Sequence, residues 1–211
     1  MTVIPVKRLD AAKSRLRGAV PEERHPELVL AMLCDTVTAV VSATTVAGLI
    51  VVTDDPVAGH AVRRLGAEVA PDPGAGLNAA MRSGADEVAG LAAYRAVLTG
   101  DLPALRPAQL DAALAAVPHR SFVPDAAGTG TVLLAVPPGQ RLDPLFGPGS
   151  AAAHRTSGAT VLAGDWPGLR QDVDTPADLA AVLALGAGRR TRELLRDLGL
   201  NQVCTPAGCA G

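Results

Sequence analysis

The sequence predicts a single α/β domain whose mostly parallel sheet carries helices on both faces. Three observations lead there. Short β-like runs alternate with helical patterns along most of the chain. The run "LIVV" within "GLIVVTDD" (48–55) is apolar at every position, as a strand covered on both sides must be, and it ends in acids. A length of 211 residues suits one sizeable domain, and two would be cramped.

The elements follow in order. "TVIPV" opens as a strand, and residues 25–43 form an almost all-apolar helix that contains Cys34 as a small core residue. After the 48–55 strand, "AVRRLGAEVAPD" (61–72) reads as a helix end, a glycine stop and another short strand. Residues 77–88 repeat Leu77, Ala80, Met81, Gly84, Ala85 and Val88 at helical spacing. "YRAVLTGDLPAL" (94–105) is a strand that stops at Gly100-Asp101; "RSFVPD" and "TVLLAV" are two more, "AAAHR" is a short helix and "TVL" a last strand. In "RQDVDTPADLAAVLAL" (170–185), Thr175 is an N-cap, Pro176 occupies the first helical position, and Asp178 supplies the acid of a capping box. The helix start therefore has no need of Asp172 or Asp174. In an extended segment residues two apart share a side, so both carboxylates face one way and Val173 the other. Residues 1–186 form the body in this reading. Residues 187–211 form an appended helix and a flexible tail that holds Cys204 and Cys209.

Composition excludes several functions. A formal net charge of -2 gives no basic face for nucleic acid. The four aromatics, Tyr94, Phe122, Phe146 and Trp166, are too few for base-stacking platforms. Met1 leads into "TVIPVKRLDAAKSRL" with no long apolar stretch, so neither a signal peptide nor a membrane span is expected and the cytoplasm is the expected compartment.

Ligands of such sheets bind outside the carboxyl ends of the strands, where Asp101 falls. Alone, Asp101 in "TGDLPAL" is ordinary turn chemistry. With Asp172 and Asp174 it makes a three-carboxylate set suited to a hard cation such as Mg²⁺. Lys7, Arg8, Lys13 and Arg15 put four cations within nine residues after the first strand, a pattern that fits a polyphosphate-binding loop. It is not a P-loop, and no G-x-G-x-x-G follows the first strand. A third cluster, "DAAGTGTVLLAV" and "LFGPGSAAAHR", combines Gly128, Gly130, Gly147 and Gly149 with the hydroxyls of Thr129, Thr131 and Ser150. Ser150 reads as the N-cap of a helix whose free N–H groups suit a phosphate or carboxylate. His154 and Arg155 either face that anion or lie on the surface; no nucleophile–base pair emerges.

Taken together and in this order, "IPVKRLDAAKSRL", "GLNAA", "TGDLPAL", "GTGTVLL", "FGPGSAAAHR" and "DVDTPADL" resemble the phospholactate/phosphoenolpyruvate guanylyltransferases of coenzyme F-420 biosynthesis, from about residue 3 to residue 185. The resemblance implies a Rossmann-like sheet similar to that of molybdenum-cofactor guanylyltransferases and nucleotide-diphospho-sugar transferases. It implies Mg²⁺ on Asp101, Asp172 and Asp174, and a three-carbon phosphoacid on Thr131, Gly147 and Ser150. The wider fold implies nucleotide phosphates on Lys13, with Lys7 and Arg15 assisting, and a base pocket near Gly76, Leu77 and Asn78. The implied substrates are GTP and phosphoenolpyruvate or 2-phospho-L-lactate, and the implied partner is the next transferase of the pathway. An Ala-, Gly- and Arg-rich composition suggests a high-GC bacterium, and within the family it resembles that implies phosphoenolpyruvate over the other acids. Gly149 stands where the family often has a polar residue. The alternatives are another nucleotidyl or sugar-nucleotide transferase of the same fold and a non-catalytic nucleotide-binding protein.

Overall fold

A computed structural model of the chain describes residues 1–10, 12–16 and 18–200. Seven strands, β1 (Thr2–Pro5), β2 (Leu49–Val52), β3 (Glu68–Ala70), β4 (Arg95–Leu98), β5 (Ser121–Pro124), β6 (Thr131–Val136) and β7 (Thr160–Val161), form one sheet in the order β3-β2-β1-β4-β6-β5-β7. All neighbours are parallel except that β6 runs against β4 and β5. The reversal follows from chain length, because only residues 125–130 join β5 to β6 and a parallel return needs a dozen or more.

Strand periodicity explains the apolar runs. Ile4, Val51, Leu98 and Val123 enter one core cluster, while their neighbours Val3, Ile50, Val97 and Phe122 enter another on the opposite face. Helices α1 (His25–Val41), α2 (Pro56–Arg63) and α4 (Pro107–Ala115) cover the first face. The second is covered by α3 (Leu77–Arg82), its π-helical continuation Ser83–Val88, and α5 (Ser150–Thr156). The single helix expected over 77–88 thus loosens at its middle. Gly84 lies so close to the sheet that a Cβ there would fall 2.6 Å from Val3 Cγ1 and 2.8 Å from Val52 Cγ2.

Beyond β7 come α6 (Pro167–Arg170), α7 (Pro176–Leu185) and α8 (Arg189–Asp197). Leu195 of α8 shares a third core cluster with Leu28 and Met32 of α1 and with Val173. Asp35 of α1 accepts the N–H groups of Arg190 (3.1 Å) and Thr191 (2.8 Å) at the start of α8, and Gly188 N–H donates to Pro103 O at 2.7 Å. The helix expected as an appendage is therefore tied into the body, next to the segment that follows Asp101. Cys204 and Cys209 lie outside the described residues.

The functional consequence is topological. β1 pairs with β2 on one side and β4 on the other, so strand order reverses between β1 and β4. Their carboxyl ends splay open there into a crevice.

Candidate active site

A cleft of about 620 Å³ occupies that crevice. Its floor is the end of β4, where Thr99, Gly100 and Asp101 leave the sheet. Asp172 and Asp174 line it from the segment before α7, and Val173 between them is fully buried on the other side, as the extended spacing predicts. Val173 N–H donates to Asp101 O at 3.2 Å, stitching the two acidic segments together. The predicted capping box is present: Thr175 Oγ1 and Asp178 exchange hydrogen bonds, and Asp178 Oδ2 also accepts Asp174 N–H at 3.1 Å. The helix cap thus fixes the backbone that presents Asp174.

The β1–α1 loop forms the adjoining wall and contributes Lys7, Lys13 and Arg15 to the lining; Arg8 instead pairs with Asp10 at 3.6 Å. Lys13 has a left-handed backbone (φ 56°), a sparsely populated region for a side chain of its type, and residues so placed concentrate at functional sites. Its ammonium donates to Asp101 Oδ2 and, at 2.6 Å, to Asp174 Oδ1. Burial alone would depress the Lys13 pKa; the two carboxylates outweigh it and hold the ammonium well above its ordinary range. Among the described residues, Asp172 has no such partner. Burial first, and then the charges of Asp101 and Asp174, push its pKa up to about 7 against the opposing pull of Lys13. Asp101 Oδ1 is buried with no hydrogen-bond partner among the described residues. Among the described residues, no three acids, histidines or cysteines are already gathered as a metal cage. The ground between Asp101 and Asp174 is held by the Lys13 ammonium.

The opposite wall carries Thr131, Gly147 and Ser150, as the glycine and hydroxyl cluster predicts. Ser150, however, is the first helical residue of α5 and not its N-cap. Gly149 caps the helix with a left-handed backbone (φ 70°) that a side chain would strain. Ser150 N–H bonds Gly147 O at 3.1 Å, tightening the turn. Of the residues expected at a base pocket, Leu77 lines the cleft and Gly76 and Asn78 do not. Asn78 instead clamps Phe146 by two hydrogen bonds, its Nδ2 donating to Phe146 O (3.0 Å) and its Oδ1 accepting Phe146 N–H (2.8 Å).

The guanylyl transferase CofC-like family profile matches residues 1–208. A phosphoenolpyruvate guanylyltransferase of Salinispora arenicola is 57% identical over 194 residues, covering 90% of each chain. One of Geodermatophilus obscurus is 53% identical over 201 residues, covering 92% of each. The chain belongs to the CofC-like guanylyl transferase family. A Desulfovibrio desulfuricans G20 structure described as a nucleotide-diphospho-sugar transferase matches in fold, with a TM-score of 0.66, 18% identity and 93% of each chain covered.

This CofC-like chain also uses residues that sequence reasoning passed over. Asp125 lines the cleft and accepts Thr129 N–H (2.9 Å) and Gly130 N–H (2.8 Å), shaping the turn before Thr131. An Asp heading "DAAGTG" is a turn signal that was there to be found. His25 Nε2–H donates to Ala12 O at 2.9 Å and steadies the residue before Lys13. Asp55, cap of α2, also accepts Leu9 N–H at 3.0 Å and so holds the same loop from its other end. Neither of these two contacts has a local signature.

Proposed function

We propose that this chain transfers the guanylyl group of GTP to the phosphate of phosphoenolpyruvate, releasing pyrophosphate, as a step of coenzyme F-420 biosynthesis. The observation that carries this reading is that one cleft is lined by two unlike sets of groups. One set is the Lys13 ammonium, paired with Asp101 and Asp174, together with Asp172 and the cations of the β1–α1 loop. The other is the hydroxyls and backbone of Thr131, Gly147 and Ser150. A nucleoside triphosphate suits the first, and a small phosphorylated acid suits the second. The Salinispora and Geodermatophilus relatives, both phosphoenolpyruvate guanylyltransferases, support the same substrates.

The donor set fits Mg²⁺. Asp101 has a buried oxygen with no partner among the described residues, and Asp172 ionises with difficulty because it is buried and lies beside the charges of Asp101 and Asp174. Hard oxygen donors with surplus negative charge are what a divalent cation requires. Asp101, Asp172 and Asp174 would hold it, and when bound it would supply charge neutralisation on the triphosphate. The remaining work belongs to the protein. The attacking phosphate oxygen of phosphoenolpyruvate is already ionised near neutral pH, so no general base is required. It bonds to the α-phosphorus of GTP, the bridging bond to the β-phosphate breaks, and pyrophosphate leaves with the electron pair. Lys13, assisted by Lys7 and Arg15, orients the triphosphate and stabilises the charge that grows on the leaving group. Thr131 and Ser150 hold the acid in line.

The test is a matrix of purified protein with GTP, ATP or CTP against phosphoenolpyruvate, 2-phospho-L-lactate and 3-phosphoglycerate, coupled to the next pathway transferase and followed by phosphorus NMR. The expected result is pyrophosphate and a new diphosphate-linked adduct only with GTP and phosphoenolpyruvate. Preference for another acid or base assigns the chain to a different transfer. Nucleotide binding with no turnover on any acid would sink the enzymatic reading.

A further inference from the structure

We propose that His154 is a positioning residue that fixes the Thr131 hydroxyl as a hydrogen-bond donor toward the small acid. The inference rests on the reading above that Thr131 belongs to the set of groups that takes the acid. His154, on α5, is fully buried between two rings, with Phe122 at 5.5 Å and Phe146 at 5.2 Å between centroids. Leu145 N–H lies 2.9 Å from its Nε2. A backbone N–H can only donate, so Nε2 must be the bare nitrogen and a neutral ring carries its proton on Nδ1. Nδ1 is 2.9 Å from Thr131 Oγ1, so its N–H, which also faces the backbone carbonyl of Ser150, makes the imidazole the donor and the hydroxyl an acceptor. The hydroxyl's own proton then has no side-chain acceptor among the described residues, and Thr131 lines the cleft. Burial and the Arg120 charge push the His154 pKa down to about 4, so the ring stays neutral in the working range.

The consequence is preorganisation. Phosphate and carboxylate oxygens accept hydrogen bonds and do not donate them. A threonine hydroxyl free to rotate would present a lone pair as readily as a proton. With its acceptor side engaged from behind, Thr131 meets an anion in the favourable sense at no reorganisation cost. The same ring holds Leu145, so it also braces the segment that leads to Gly147.

Two isosteric variants separate these duties. His154→Asn keeps a donor near the Nδ1 position and loses the acceptor for Leu145, whereas His154→Gln keeps an acceptor near Nε2 and loses the donor to Thr131. Thr131→Val is expected to raise the KM for phosphoenolpyruvate roughly tenfold, one hydrogen bond to a charged group, with the KM for GTP unchanged. His154→Gln should match it, His154→Asn should stay near wild type, and His154→Gln added to Thr131→Val should change nothing further. An unaltered phosphoenolpyruvate KM in His154→Gln, equal losses in both histidine variants, or additive losses in the double variant would each overturn the inference. An unaltered KM in Thr131→Val would overturn the subsite reading and this inference with it. Long-range proton–nitrogen NMR of the ligand-free wild-type protein tests the ring independently of substrate and of variant folding. A proton on Nε2, or an imidazolium at about pH 6, would overturn the inference and leave the subsite reading standing.

Discussion

Replacing Asp172 with asparagine is expected to stabilise the ligand-free protein while removing its activity. The carboxyl titrates near 3.8 in an unfolded chain and at about 7 in the fold, because burial and the Asp101 and Asp174 charges oppose its ionisation. Between those values the unfolded chain has released the proton and the folded protein still binds it. Stability therefore falls as pH rises through that window, by at most about 1.4 kcal/mol per pH unit, and the deficit is constant above the folded pKa. Three units set a ceiling of roughly 4 kcal/mol. The side chain lines an open cleft, and solvent screening leaves about 2 kcal/mol of it. For a domain of this size that is about 4–8 °C in Tm. Asp172→Asn, with the same shape and no charge, should melt with wild type at about pH 4. It should then gain steadily and level off 4–8 °C higher above about pH 7. Thermal melts across that range without divalent ions supply the stability profile, and pyrophosphate release supplies the activity. A difference in Tm that does not vary with pH, or a variant less stable at about pH 8, would refute the account of Asp172 as an uncompensated charge.

Two further perturbations address the site's charge balance and the anchoring of α8. Lys13→Met removes the ammonium that competes for Asp101 and Asp174, so Mn²⁺ followed by electron paramagnetic resonance without nucleotide should bind about tenfold more tightly while turnover falls by at least about a hundredfold. Equal Mn²⁺ affinity in the two proteins would show that Lys13 is not the resident counter-charge. Asp35→Ala strips the acceptor from two N–H groups at the start of α8 and should cost about 2 kcal/mol in urea unfolding with both Michaelis constants unchanged. An unshifted midpoint would mean that α8 does not depend on that anchor.

Much of the fold was legible because its causes are local. Strands buried on both faces must be apolar throughout, which is why "LIVV" announces β2, and the opposed facing of Asp172, Val173 and Asp174 follows from strand periodicity beside a complete capping box. Legibility ends where a side chain's partner is distant. Asn78 looks like a pocket residue in "GLNAA", yet its amide is spent on the backbone of Phe146, 68 residues away. His154 resembles a surface residue in "AAAHR" until Phe122 and Phe146 close around it. Ser150 is the best N-cap type in its stretch, but Gly149 reaches a left-handed conformation that takes the position first. The anchor of α8 is Asp35, 155 residues before Arg190, and no pattern within residues 187–200 contains it.

Lys13 shows how these levels meet. Its left-handed backbone is an unfavourable choice for a lysine, and its ammonium is held by two acids that lie 88 and 161 residues further along the chain. Asp101, the more buried of the two, would face a desolvation cost if left without a counter-charge, as Asp172 beside it does. Lys13 can therefore leave the acids only when another positive charge takes its place. A triphosphate arriving with its own cation satisfies that condition, and it offers the released ammonium a new set of anionic partners in the same step. A triphosphate arriving alone would ask the acids to give up the Lys13 ammonium and face more negative charge. If the chain acts on GTP as proposed, the lysine would yield its acids to the incoming cation, and the Mn²⁺ affinity of Lys13→Met measures that competition between ammonium and cation directly.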